Sequence, residues 1–169
     1  DYGSALRKIL KFNEKTTGYI EERKSEMNLP VDYIAVHIRR GDKIVSREMK
    51  ELGLFLYIDA VKGKKHISRN VFIATDDGSV TDKLKSVLVA EGFNVYWNTA
   101  VTQTGFDESL FNTKDKKSRY IDTLNMLLDM DILIHSSFFI GTYTSNVSRI
   151  VPLYVGFDKS FSLDDEWKL

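Results

Sequence analysis

Cysteine is absent from this 169-residue chain, which excludes disulfides, a thiolate nucleophile and zinc–thiolate sites. Proline is scarce, with two against ten glycines, and no low-complexity tract or internal repeat breaks the sequence. Net charge is absent as well, because 24 Lys and Arg balance 24 Asp and Glu. That balance argues against a generic electrostatic binder of nucleic acid or of anionic membrane, which carries a net basic footprint to displace counterions. No run approaches the ~20 apolar residues of a membrane span. The opening Asp1-Tyr2-Gly3-Ser4 has neither an initiator Met nor the basic-then-apolar pattern of a signal peptide, as expected of a segment cut from a longer chain.

What is present is an ordinary globular composition, 43% hydrophobic and 28% charged, long enough to bury a core within one domain. The expected organisation is a single domain over 1–169, with a helical segment over 1–30 and a C-terminal tail over 155–169. Residues 5 to 27 read as an amphipathic helix interrupted near Thr16-Thr17-Gly18. Four short apolar runs, at residues 33–38, 70–75, 93–97 and 138–142, read as buried strands. Helical patterns over residues 52–61, 80–91 and 119–134 alternate with them, and the polar stretch 98–117 reads as a long loop. Strand–helix alternation predicts an α/β fold, a parallel sheet flanked by helices. Its ligand site should lie beyond the carboxyl ends of the strands.

The residues that follow the strands carry the chemistry. After the first strand comes His37-Ile38-Arg39-Arg40-Gly41-Asp42-Lys43, and residues 37–50 hold five Lys/Arg against two Asp/Glu. Arginine forks bind phosphate oxygens in bidentate geometry. The segment is therefore a candidate diphosphate site, or else a solvated basic turn. The fourth strand runs into Gly141-Thr142-Tyr143-Thr144-Ser145-Asn146, where hydroxyls and N–H groups gather at a helix start that either cradles an anion or simply caps the helix.

Asp76-Asp77-Gly78 follows the second strand and reads as a helix-capping turn or as a metal or phosphate site. Asp129-Met130-Asp131 spells a metal-binding Asp-x-Asp but falls in a helical pattern, where positions two apart point in different directions, so metal is not expected there. Arg40-Gly41-Asp42 is also the cell-adhesion tripeptide, which burial beside a strand would exclude. Asn146-Val147-Ser148 is a formal glycosylation sequon, read as fortuitous.

His37 to Lys43 resembles the first peptide motif of the α1,6- and protein O-fucosyltransferases, and is most similar to the α1,6 branch. Phe72-Ile73-Ala74-Thr75-Asp76-Asp77 resembles that branch's second motif. The segment from Leu128-Asp129 through Phe139 to Arg149 resembles its third, and Phe161-Ser162-Leu163-Asp164-Asp165 a segment further on. The similarity is collinear from about Leu6 to the C-terminus.

This resemblance implies one Rossmann-like half of a GT-B glycosyltransferase, the C-terminal donor-binding half, with an acceptor-side domain missing from the segment. It implies inverting, metal-independent transfer of L-fucose from GDP-fucose to a sugar hydroxyl of a glycan or glycoprotein. No cofactor, nucleic-acid partner or membrane contact is implied. The location would be the Golgi lumen in a eukaryote and the cytoplasm for a bacterial or viral source.

Carried over by position, the resemblance has His37 and Asp129 contact guanine. Arg39 binds the β-phosphate and assists departure of GDP, while Arg40 holds the loop or the fucose. Ser145 and neighbouring N–H groups complete the phosphate cradle. The donor set implied is His37, Arg39, Arg40, Asp42, Asp76, Asp77, Asp129, Thr144, Ser145 and Asn146, and the catalytic set Arg39, Lys43 and Glu48. Glu48 would act as base through a proton relay with Lys43. It lies one residue further from the lysine than in the family pattern, and Asn146 stands where the α1,6 branch usually has Gln. The alternative expectation is a non-catalytic GDP-sugar-binding or interaction module lacking a competent base.

Overall fold

The computed structural model describes residues 2–9, 11–41, 51–102 and 105–166. Asp42, Lys43 and Glu48 lie outside the described residues. Two helices, α1 (Tyr2–Ile9) and α2 (Glu14–Met27), precede the sheet. The break expected at Thr16-Thr17-Gly18 falls instead ahead of Asn13, whose side chain accepts Thr16 N at 2.9 Å. Asn is among the strongest N-caps, and here it outweighs the modest helix penalties of two threonines and a glycine. Asn28 then closes α2 in the left-handed region at φ 50°.

Five strands follow: β1 (Ile34–Ile38), β2 (Asn70–Thr75), β3 (Asn94–Trp97), β4 (Phe138–Gly141) and β5 (Ser160–Ser162). All pair in parallel, in the order β3-β2-β1-β4-β5. The fold is therefore the expected α/β class, a Rossmann-like parallel sheet flanked by helices. The fifth strand arises inside the segment read from sequence as a tail. The connecting helices are α3 (Leu54–Gly63), α4 (Gly78–Ala90), α5 (Glu108–Thr113), α6 (Lys116–Ile134) and α7 (Asn146–Val155). The stretch 98–117 is not all loop: Asp107 caps α5 through Leu110 N, and Asp115 caps α6 through Lys117 N and Ser118 N.

Alternation along the strands builds two apolar layers. Ile34, Val36 and Ile38 of β1 pack with Val71 and Ile73 of β2 against Tyr57 and Val61 of α3 and Leu84 and Leu88 of α4. Ala35, Phe72 and Phe139 face the other way, onto Ile20 of α2, Leu128 and Ile132 of α6 and Val151 of α7. From β1 the chain adds β2 and β3 on one side, then crosses to add β4 and β5 on the other. The reversal lies between β1 and β4, and a crevice at their carboxyl ends is the expected ligand position. Among the described residues no helix is long and apolar enough to cross a membrane.

Phe139 is fully buried in the second layer. Truncation there loses transfer free energy and leaves a cavity between sheet and helices. Phe139→Ala is expected to lower unfolding stability by about 3–5 kcal/mol, read by urea denaturation with an unchanged m-value. A loss below about 1 kcal/mol would show that the layer collapses to fill the space.

Candidate functional site

Arg39 and Arg40 leave the end of β1 in different directions. Arg40 is buried, and its guanidinium donates to Leu52 O at 2.9 Å and lies 3.6 Å from the Glu51 carboxylate. It ties the return of the chain toward α3 to the sheet. Its burial beside the strand removes the adhesion reading of Arg40-Gly41-Asp42. Arg39 is half-buried, pairs with Asp76 Oδ2 at 3.2 Å, and spreads over the Phe106 ring at 5.1 Å.

Asp76, the first residue past β2, joins three segments. Its Oδ1 accepts Arg40 N at 2.7 Å and its Oδ2 accepts Phe106 N at 3.1 Å. Its carbonyl accepts Gly105 N at 2.9 Å. The backbones meet so closely that a Cβ on Gly105 would stand 2.6 Å from Gly41 Cα, and one on Gly41 2.3 Å from Phe106 O. Gly41 and Gly105 also have positive φ, +39° and +92° respectively, where a side chain is strained. Asp77, by contrast, caps α4, accepting Ser79 N at 2.9 Å.

On the opposite face of the sheet His37 points toward α7, its Nδ1 2.7 Å from Ser148 Oγ. Burial, and secondarily the Arg39 cation, push its pKa down to about 3, so the ring is neutral at ordinary pH. Gly141 makes room for this contact: a Cβ there would lie 2.7 Å from Ser148 Oγ.

Asp129 of α6 lies near Asn98, the first residue past β3, whose side chain favours the charged carboxylate. Its Oδ1 is buried and has no hydrogen-bond partner among the described residues. Burial pushes its pKa up to about 7, against the opposing effect of Asn98. Asp131, its neighbour in the Asp-x-Asp, turns away to Lys24 at 3.0 Å. No group of three or more His, Cys, Asp or Glu among the described residues could hold a metal ion.

At the end of β4 the turn leads into α7. Ser145 is buried at the N-cap position and makes no capping bond. Thr144 is committed within the protein: its N–H lies 3.3 Å from Asp164 Oδ2, and its hydroxyl donates to the same oxygen. Asn146 is exposed at the start of α7, whereas the sequon's Ser148 is fully buried.

The structure thus brings Arg39, Arg40 and Asp76 into one corner, and gathers His37, Ser148 and Ser145 around the start of α7. Asp129 stands level with the carboxyl end of β3. Sequence reasoning missed Asn98, Ser148 and Phe106, and did not give Asp164 a role. Asn98 was detectable, since it is the first polar residue beyond a strand end. Phe106 carried no such signal.

Residues 2–154 match the family of alpha-(1,6)-fucosyltransferase N- and catalytic domains. No curated protein sequence matches the chain. Among solved structures, fucosyltransferase NodZ from Bradyrhizobium shares 20% identity over 86% of this chain and 43% of its own, with a TM-score of 0.60. NodZ alpha-1,6-fucosyltransferase soaked with GDP-fucose superposes with a TM-score of 0.58. POFUT1 in complex with GDP-fucose shares 14% identity over 97% of this chain and 49% of its own, with a TM-score of 0.60. At these identities the likeness is one of fold, and the chain spans less than half the length of these proteins.

The raised pKa of Asp129 gives a pH signature. Between the unfolded value of 3.8 and about 7 the folded chain binds the extra proton, so this group's contribution to stability falls as pH rises through that window. Asp129→Asn should remove that part of the decline, and its Tm relative to the unaltered chain should rise by about 10 °C between pH 4 and pH 8. Parallel Tm curves for the two proteins would rule out a raised Asp129 pKa.

Proposed function

The chain belongs to the alpha-(1,6)-fucosyltransferase family, and on that premise we propose that its carboxyl-end cleft binds GDP-fucose and serves transfer of L-fucose to a sugar hydroxyl of a glycan. The observation that carries this reading is the unequal chemistry of the cleft. The cleft offers a charged guanidinium at Arg39 and also buried, largely uncharged hydrogen-bonding groups, at His37 beside α7 and at Asp129 level with the carboxyl end of β3. A nucleoside diphosphate has that same division, with a flat polar base at one end and two negative phosphates at the other.

Asp129 supports guanine in particular. An ionised carboxylate accepts two parallel N–H donors, and guanine presents N1–H and N2–H side by side. Its unpartnered Oδ1 would gain a donor, and the added bonds would favour the ionised form. Arg39 would hold the β-phosphate and neutralise the charge that grows on it as the C1–O bond breaks. The first amides of α7 and Ser145 would complete that cradle.

In the inverting, metal-independent step of this proposal, the acceptor oxygen forms the bond to fucose C1. The bonding pair leaves with GDP, and the acceptor proton passes to Glu48, linked to Lys43. Asp42 belongs to the same motif as Lys43. A second reading, a GDP-sugar-binding module without transfer, draws on the extra residue between Lys43 and Glu48.

Calorimetric titration separates these readings. GDP and GDP-fucose should bind, GMP more weakly, and ADP least. Arg39→Ala should weaken GDP by about one to two orders of magnitude. GDP should bind more tightly at pH 8 than at pH 6, because Asp129 must ionise to accept both guanine donors. Silence at millimolar GDP, or equal affinity for ADP, would refute the donor assignment. Binding without detectable fucose transfer to a glycan would favour the second reading.

A further inference from the structure

The turn between β4 and α7 is held from outside by the end of the chain. β5 lies parallel to β4, pairing Gly141 with Ser162, and Leu163 N donates to Gly141 O at 2.9 Å. This register brings Asp164 against the turn. Its Oδ1 accepts Tyr143 N at 2.7 Å and Ser162 Oγ at 2.7 Å. Its Oδ2 accepts Thr144 N at 3.3 Å and the Thr144 hydroxyl. Ser162 Oγ in turn accepts Tyr143 N at 3.1 Å. These donors stabilise the charged carboxylate and hold Asp164 below the usual carboxylate range despite the opposing cost of its partial burial.

The amide accounting gives the network a consequence. In the turn, Thr142 N goes to Ser148 Oγ at 3.4 Å, Tyr143 N and Thr144 N go to Asp164, and Ser145 N goes to Thr142 O at 3.0 Å. Within α7, Arg149 N already has Ser145 O at 3.0 Å. The amides of Asn146, Val147 and Ser148 form the first turn, and a helix supplies such amides with no acceptor of its own. An anion arriving at this corner is thereby directed to the helix start and away from the turn.

From this geometry we infer that Asp164 is a positioning residue, which fixes the β4–α7 turn so that the first amides of α7 and Ser145 present a preformed seat to the terminal phosphate of a nucleoside diphosphate. The inference rests on the donor reading above and adds a residue to it. Asp164 does not itself touch the ligand. Its charge is spread over backbone and hydroxyl donors, which limits its repulsion of a nearby phosphate. The opposite reading makes Asp164 a stand-in anion that occupies the turn until a phosphate displaces it. The two readings predict effects of opposite sign.

The test compares GDP with GMP, because only the terminal phosphate distinguishes them. Calorimetric Kd values are measured for the unaltered chain, Asp164→Asn and Asp164→Ala, with urea denaturation to establish that each is folded. The isosteric Asn variant decides the question if the Ala variant does not fold. Expected is a loss of about tenfold in GDP affinity, while GMP affinity stays within about twofold, since a preorganised seat matters only for the group that occupies it. Equal losses for both nucleotides would mean a merely structural residue, and unchanged GDP affinity would mean no role at all. Tighter GDP binding would establish the stand-in anion, and each of these three results overturns the inference. Absence of GDP binding in the unaltered chain overturns the donor reading itself, and this inference with it.

Discussion

At the end of β2 a single carboxylate gathers donors from loops that belong to other strands. Asp76 takes Arg40 N from the segment after β1 and Phe106 N from the segment after β3, and its Oδ2 also holds the Arg39 guanidinium at 3.2 Å. Each acceptor site on a buried carboxylate left empty would cost stability, so the three loops are drawn to one point. The glycines follow from that convergence. With Gly105 N on Asp76 O, Gly41 and Gly105 are pressed together at a distance no side chain fits. The direction of Arg39 is therefore set by a backbone junction and by the Phe106 ring beneath it, more than by its own rotamer.

Burial acts on two further groups of the cleft in complementary ways. The same desolvation that pushes His37 down to about 3 pushes Asp129 up to about 7. It favours the neutral imidazole and the neutral carboxylic acid alike. Ser148 fixes the imidazole through Nδ1, and Asn98 opposes the effect of burial on Asp129 only in part. Among the described residues of the cleft, Asp129 Oδ1 and Thr142 Oγ1 are buried without a hydrogen-bond partner, so the polar accounting does not close from within. A polar group left in that state commonly marks a site completed by something else.

The centre of the sheet was legible in the sequence because β1, β2 and β4 are buried on both faces and read as unbroken apolar runs. The boundaries that went astray did so for local reasons. Asn13 moved the helix break by capping α2, and Asp107 and Asp115 turned part of an expected loop into helix. β5 was invisible because Ser160-Phe161-Ser162 contains one apolar residue and owes its strand geometry to pairing with β4. In the site, Arg39 and Asp76 could be found from their places just past strand ends. Phe106 and the Asp164 network could not, since each acts across a sequence separation that only the folded topology closes.

Motifs dense in polar residues mix two functions that sequence alone does not separate. Arg40 serves Leu52 O, Asp77 caps α4, and Thr144 serves Asp164. All three belong to the segments that resemble the family's motifs, yet their described polar contacts lie within the protein. A loop at a strand end carries backbone donors and acceptors that secondary structure does not absorb. Polar side chains nearby must satisfy those groups before any can be spared for a ligand. The groups not spent on capping, such as Ser145 and the first amides of α7, are held in place by neighbours already bonded. Much of a binding motif is accordingly the framework that keeps a few contacts fixed, and precision at those contacts increases as the framework's own hydrogen bonds are completed.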